Sequence, residues 1–176
     1  MVNYFELYDI PVSFAPDVAV VKKKFYELSR RYHPDRFTLA GDEERAEVLR
    51  MAALNNDAYK VLQNADATMA YILKMNELLE DEEKYNLPPD FLMEMMDLNE
   101  SISEYEMDPE NETYKNDAHN MLDAQLDAWK ADVEPLLQQF EKGNTSKEIL
   151  LQIKDYYFRK KYLLRILERI NTFATR

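Results

Sequence analysis

Two histidines, 34 carboxylates and no cysteine bound the chemistry open to this 176-residue chain. His33 stands in His33-Pro34-Asp35, an imidazole and a carboxylate on either side of a proline. Proline fixes the turn, so both side chains can be presented to a partner at low entropic cost. Read alone, the tripeptide is a helix stop whose His and Asp decorate a turn. His119 has Asp117 and Asp123 nearby, but no second histidine shares its helix, so no metal site is expected. Among so many acids, close carboxylate pairs arise by chance and give no glycosidase signal. The lack of cysteine removes disulfides, thiol catalysis, thiolate zinc sites and direct cysteine ligation of a metal–sulfur cluster. Two glycines, Gly41 and Gly143, are too few for a dinucleotide fingerprint or a phosphate-cradling loop. The expectation is a chain that acts by binding, without cofactor or metal, and not an enzyme.

The formal net charge is −12 and the pI about 4.7. Phosphate backbones repel such a chain, so nucleic acid is not an expected partner. No apolar run approaches the roughly 18 residues of a membrane span. Met1-Val2-Asn3-Tyr4-Phe5 leads directly into a patterned segment, and no signal peptide is expected. A soluble, cytoplasmic protein is the simplest expectation. Apolar types make up 46% of the chain, which is enough for a core.

The elements that must position these groups read as helices nearly throughout, with no period-2 alternation. The expected class is all-α. After a short apolar segment from Tyr4 to Ile10, residues 18–32 place Val21, Phe25, Leu28 and Tyr32 on one helical face, with Asp17 as N-cap. A helix over 43–63 carries Ala46, Leu49, Ala53, Tyr59 and Leu62 as its apolar positions, and one over 66–79 carries Met69, Ile72, Leu73 and Leu78. From Glu77 to Glu112 there are 14 acids against one base, Lys84, and Pro88-Pro89 lies within that run. This marks a junction at 77–88 between residues 1–76 and 89–176. The second part reads as three helices: 89–105, 111–140 with Pro135 inside, and a last one to about Phe173. Thr145-x-x-Glu148 is a capping-box pattern opening the last helix.

Two helical faces stand out. Residues 17–36 hold six bases against three acids, a positive patch on an acidic chain, which suits an acidic surface on a partner. In the first helix of the second part, Phe91, Met95, Leu98, Ile102 and Tyr105 form the stripe a bundle needs. Leu92, Met93 and Met96 fall on another arc beside Asp97 and Glu100. At that spacing they pack under a second helix or form an acid-rimmed docking patch; methionine suits the latter because it adapts its shape. In the last helix Phe158 lies nearly opposite the stripe of Ile149, Ile153, Tyr156, Leu163 and Leu167. The basic stretch from Lys154 to Arg169 reads as a solvated face.

Tyr4-Phe5, Arg31-Tyr32-His33-Pro34-Asp35-Arg36-Phe37 and Asn56-x-Ala58-Tyr59-x-x-Leu62 resemble a J domain. With Phe91 to Glu100, the whole chain resembles the HscB family, J-type co-chaperones of iron–sulfur cluster assembly. The resemblance implies a J domain (a helical hairpin with its His-Pro-Asp loop) over 1–76 and a C-terminal three-helix bundle. It implies that His33, Pro34 and Asp35, supported by Lys23, Tyr26, Arg30 and Arg36, engage a dedicated HscA-like ATPase chaperone and stimulate its ATP hydrolysis. It also implies that Leu92, Met93, Met96, Asp97, Glu100 and Phe158 hold an IscU-like iron–sulfur scaffold. The chain departs from the family pattern at Arg36, where lysine usually follows the Asp, at Asn55, where an apolar core residue of the third J-domain helix is usual, and at Ala65, Thr68, Met69 and Asp97. Lacking the cysteine-rich zinc segment of some eukaryotic members, it looks bacterial in type, with a mature organellar chain as the alternative. The competing reading is a general J protein whose bundle dimerises or holds another client.

Overall fold

The computed structural model describes residues 3–174. Among these residues seven α-helices form in chain order: α1 (Tyr4–Tyr8), α2 (Val18–Arg31), α3 (Asp42–Leu62), α4 (Ala65–Met75), α5 (Pro89–Met107), α6 (Glu112–Glu141) and α7 (Lys147–Ala174). A 3-10 turn, Pro34–Phe37, lies between α2 and α3. No strand forms among the described residues. The chain divides into two compact units, 1–77 and 78–176.

In the first unit, α1 starts on a reciprocal cap in which Asn3 accepts from the Glu6 N–H and Glu6 reaches back to the Asn3 N–H. Asp17 caps α2 as expected, accepting from Ala19 N–H at 2.8 Å and Val20 N–H at 3.2 Å. Val21 is fully buried, and Phe25 stacks on Tyr59 of α3 with centroids 4.2 Å apart. The buried positions of α3 are Val48, Asn55, Ala58 and Leu62, not the set the sequence suggests. Ala46, Leu49 and Ala53 face solvent, Leu49 at 59% exposure. The heptad-spaced stripe 48–55–62 runs through a polar residue, so counting apolar residues alone misplaces the phase.

Asn55 belongs in the core because every polar atom there is answered. Its Oδ1 accepts from the Tyr8 hydroxyl at 2.9 Å, and its backbone carbonyl accepts from the same hydroxyl at 3.1 Å. Its Nδ2 donates to the Phe25 carbonyl at 3.1 Å and the Ser29 hydroxyl at 3.0 Å. One amide thus ties α1, α2 and α3 together, and the satisfied bonds offset its desolvation. Thr68 is likewise fully buried, its hydroxyl donating to the Val61 carbonyl at the end of α3 at 2.9 Å. Helix α4 stops at Met75, short of the expected 79: the Asn76 side chain donates to the Ile72 carbonyl at 2.8 Å, and Glu77 turns left-handed at φ 57°.

In the second unit, α5, α6 and α7 pack on one another around Phe91, Met95, Leu98, Ile102, Tyr105, Leu122, Leu163, Ile166 and Ile170. Full burial of one such side chain is worth about 1.5–3 kcal/mol, so this stripe fixes the rotation of α5. Pro89 opens α5, where a missing N–H costs nothing. Helix α6 runs through Pro135. The single tryptophan, Trp129 of α6, donates its indole N–H to the Tyr156 carbonyl of α7 at 2.7 Å. Lys160 lies 4.6 Å from its ring centroid. Gly143 takes φ 99° in the α6–α7 turn. Ser146, not Thr145, caps α7, its hydroxyl accepting from Ile149 N–H at 3.4 Å; the helix begins one residue later than the capping-box pattern suggests.

Of the junction read from sequence at 77–88, residues 78–88 carry no helix yet lie on α7 within the second unit. Lys154 donates to Glu83 at 2.5 Å, and the Tyr85 hydroxyl donates to Asp155 at 2.9 Å. The Tyr85 ring stacks on Phe158, 4.3 Å between centroids and 3° from parallel.

Candidate functional sites

The first site is the turn after α2. His33 caps the 3-10 turn, its Nδ1 accepting from the Asp35 N–H at 3.3 Å. The Asp35 carboxylate lies 3.7 Å from the same nitrogen. As the acceptor from the Asp35 N–H, Nδ1 leaves the ring's own N–H on Nε2, which points the donor outward from the turn's hydrogen bond. Arg36 donates from Nη1 to the Arg30 carbonyl at 3.0 Å, fastening the turn to the end of α2. His33, Pro34, Asp35 and Arg36 are all exposed. Lys23 and Arg30 are exposed too, and Tyr26 is 48% exposed with its ring against Phe25. Among the described residues, Lys22, Lys23, Lys24, Arg30 and Arg31 meet no carboxylate, although the chain carries 34. The turn is therefore rigid, polar and open, beside a cationic helix face that nothing in its own unit neutralises. Leu39, fully exposed in the loop that follows, is an apolar residue the sequence reading passed over.

The second site is the outer face of α5. Phe91, Met95, Leu98, Ile102 and Tyr105 point inward, each at most 6% exposed. Leu92, Met93 and Met96 stand outward at 42%, 70% and 65% exposure. Of the two readings the spacing allows, the structure takes the open patch. Asp97 and Glu100 are exposed on the same helix. These five residues share one face, an apolar strip edged with carboxylates.

Phe158 does not join them as a surface residue. It does lie off the bundle stripe, as the helical wheel indicates, but it is only 7% exposed because Tyr85 covers it. Burial, then the hydrogen bond to Asp155, pushes the Tyr85 hydroxyl up to about 12. The hydrogen bond from Lys154 holds the Glu83 carboxyl below the usual carboxylate range. The sequence reading missed Tyr85; an aromatic inside an acidic run was the available signal. His119 contacts the Tyr105 ring at 6.2 Å between centroids. No group of three His, Cys, Asp or Glu suited to a metal ion occurs among the described residues.

A family model described as the HSCB C-terminal oligomerisation domain matches residues 87–171. A Vibrio atlanticus protein named a co-chaperone protein HscB homolog is 33% identical over 137 residues, covering 75% of this chain and 80% of its own. This chain belongs to the HscB co-chaperone family. A Vibrio vulnificus HscB homolog is 39% identical over 103 residues, and that stretch spans 60% of the relative's length. Among solved structures, chaperone HscB from Vibrio cholerae superposes with a TM-score of 0.72 at 26% identity, over 97% of this chain and 96% of that one. Human co-chaperone HscB gives 0.76 at 26% identity, over 97% of this chain and 81% of that one. The two structural likenesses cover both units, in keeping with a J domain followed by a helical bundle. The relatives are named as co-chaperones. No helix of the described residues is long and apolar enough to cross a membrane.

Proposed function

We propose that this HscB-family protein is a non-enzymatic, cytoplasmic co-chaperone of iron–sulfur protein maturation. Its J domain, over 1–76, engages an HscA-like ATPase chaperone through His33, Pro34 and Asp35, with Lys23, Tyr26, Arg30 and Arg36 in support. Its C-terminal bundle, over 89–176, presents an IscU-like scaffold protein to that chaperone through Leu92, Met93, Met96, Asp97 and Glu100. Phe158 supports that surface from beneath Tyr85. The observation that carries this reading is the open, pre-set His33-Pro34-Asp35 turn beside an unpaired cationic face on a chain of net charge −12. Such a face steers toward an acidic surface, and a ready-made turn loses little entropy on docking. The protein then performs no bond chemistry: by binding one conformation of the ATPase better than another, it shifts that population.

The test is steady-state ATP hydrolysis by the chaperone, with this protein and the scaffold added singly and together. Synergistic stimulation that disappears in His33→Gln is the expected result; no stimulation by the unaltered protein rejects the reading. The second reading, a general J protein with a different client, predicts stimulation indifferent to the scaffold. Charge reversal at Asp97 and Glu100 separates the two, since it abolishes scaffold binding only under the first.

A further inference from the structure

Helix α7 carries its basic residues in two states. Lys154 is bound to Glu83, Arg159 to Asp155 at 2.6 Å, and Arg169 to Glu106. Lys161 and Arg165 meet no carboxylate among the described residues, and neither does Lys84 of the 78–88 segment. These three cations line one cleft of about 440 Å³ in the second unit. Its apolar walls are Phe158, Leu87 and Tyr162, and Glu82 and Glu83 also line it. Glu83 is already neutralised by Lys154, so the lining is net positive. The walls are held in place: Tyr85 is stacked on Phe158, and the Tyr162 hydroxyl accepts from Asn99 at 2.7 Å. Lys161 lies 5.9 Å from the Phe158 ring centroid, a cation over an aromatic floor.

A chain with 34 acids and 22 bases has carboxylates to spare. Three cations that line one cleft and form no ion pair among the described residues are therefore not explained by internal pairing. We infer that this cleft is a docking site for an acidic peptide segment of a partner protein, two or more carboxylates flanking one apolar side chain. The carboxylates meet Lys84, Lys161 and Arg165, with Arg165 able to take one bidentately. The apolar side chain rests on Leu87 and the Tyr162 ring. The occupant is opposite in sign to whatever the acid-edged face of α5 receives, so one bundle offers two surfaces of contrary charge. The inference does not rest on chaperone stimulation and survives or fails apart from it.

The test is a 15N-resolved NMR titration of the full chain with a capped heptapeptide, Asp-Asp-Glu-Phe-Asp-Glu-Glu. Shifts confined to residues 82–87 and 158–165 are expected at low ionic strength. The double variant Lys161→Glu/Arg165→Glu should weaken binding at least tenfold, while Lys130→Glu/Lys142→Glu, with the same change in charge on α6 and the following turn, leaves it within twofold. Equal binding by the two double variants overturns the inference, as do shifts centred elsewhere. If inorganic phosphate reproduces the shifts and the peptide does not, the cleft holds small anions and the peptide reading is wrong. If the chain instead self-associates through these residues and ignores the peptide, the occupant is a second copy and the inference also fails.

Discussion

Asn55 decides more of the first unit than its size suggests. Its amide answers Tyr8, Ser29 and the Phe25 carbonyl from the floor of the core. Asn55→Leu keeps the branched shape but removes the donor to the Ser29 hydroxyl and the Phe25 carbonyl and leaves the Tyr8 hydroxyl only the backbone carbonyl at position 55, a loss of about 1–3 kcal/mol for buried groups deprived of partners. Urea unfolding should show that loss, and the double variant with Tyr8→Phe should lose less than the two singles summed. Tyr85 makes a second prediction. In the folded protein burial and the bond to Asp155 push its hydroxyl up to about 12, above the ordinary tyrosine value of 10.0. A raised pKa on a group neutral when protonated gives stability that is complete below pH 10. That stability is lost as pH rises toward 12, because the unfolded chain ionises first. The difference in tyrosinate absorbance between the parent protein and Tyr85→Phe should therefore titrate near pH 12, and the parent's advantage in stability should fade across pH 10–12.

Along single elements, α5 separates buried from exposed side chains by the angle around one axis. Met95 is fully buried, while Met93, two residues earlier, is 70% exposed. Met95→Ala should cost about 2–5 kcal/mol in urea unfolding. Met93→Ala with Met96→Ala should stay within about 0.5 kcal/mol per site and show its effect in scaffold binding. The inward stripe of α5 was legible in the sequence because five large apolar residues keep helical spacing without interruption. The outward set was legible only as a pair of alternatives, since spacing does not say whether another helix covers an arc. In α3 the phase was lost because Asn55 breaks the apolar count that periodicity relies on. Phe158 was placed correctly off the bundle stripe, but its cover comes from Tyr85, 73 residues earlier, in a segment whose acidity reads as solvated. Periodicity is local; a tertiary lid is not.

For the whole molecule, the division at 77/78 gives each part its own buried core. Chains ending at Glu77 and starting at Leu78 should each fold alone, and their far-ultraviolet dichroism should sum to that of the full chain. The charges are also divided, with a local excess of +3 over residues 17–36 in a chain of −12. Association through α2 should slow as salt rises, because exposed charges more than about 10 Å apart are screened at 0.1 M.

The indole of Trp129 lies against Tyr156 and Lys160, wholly inside the second unit. With one tryptophan in the chain, the protein carries a built-in optical reporter for one half of itself. Emission on melting follows the bundle alone, while dichroism follows both halves. When the two traces part, the gap between them is the melting of the J domain, read without a label, a fragment or a mutation.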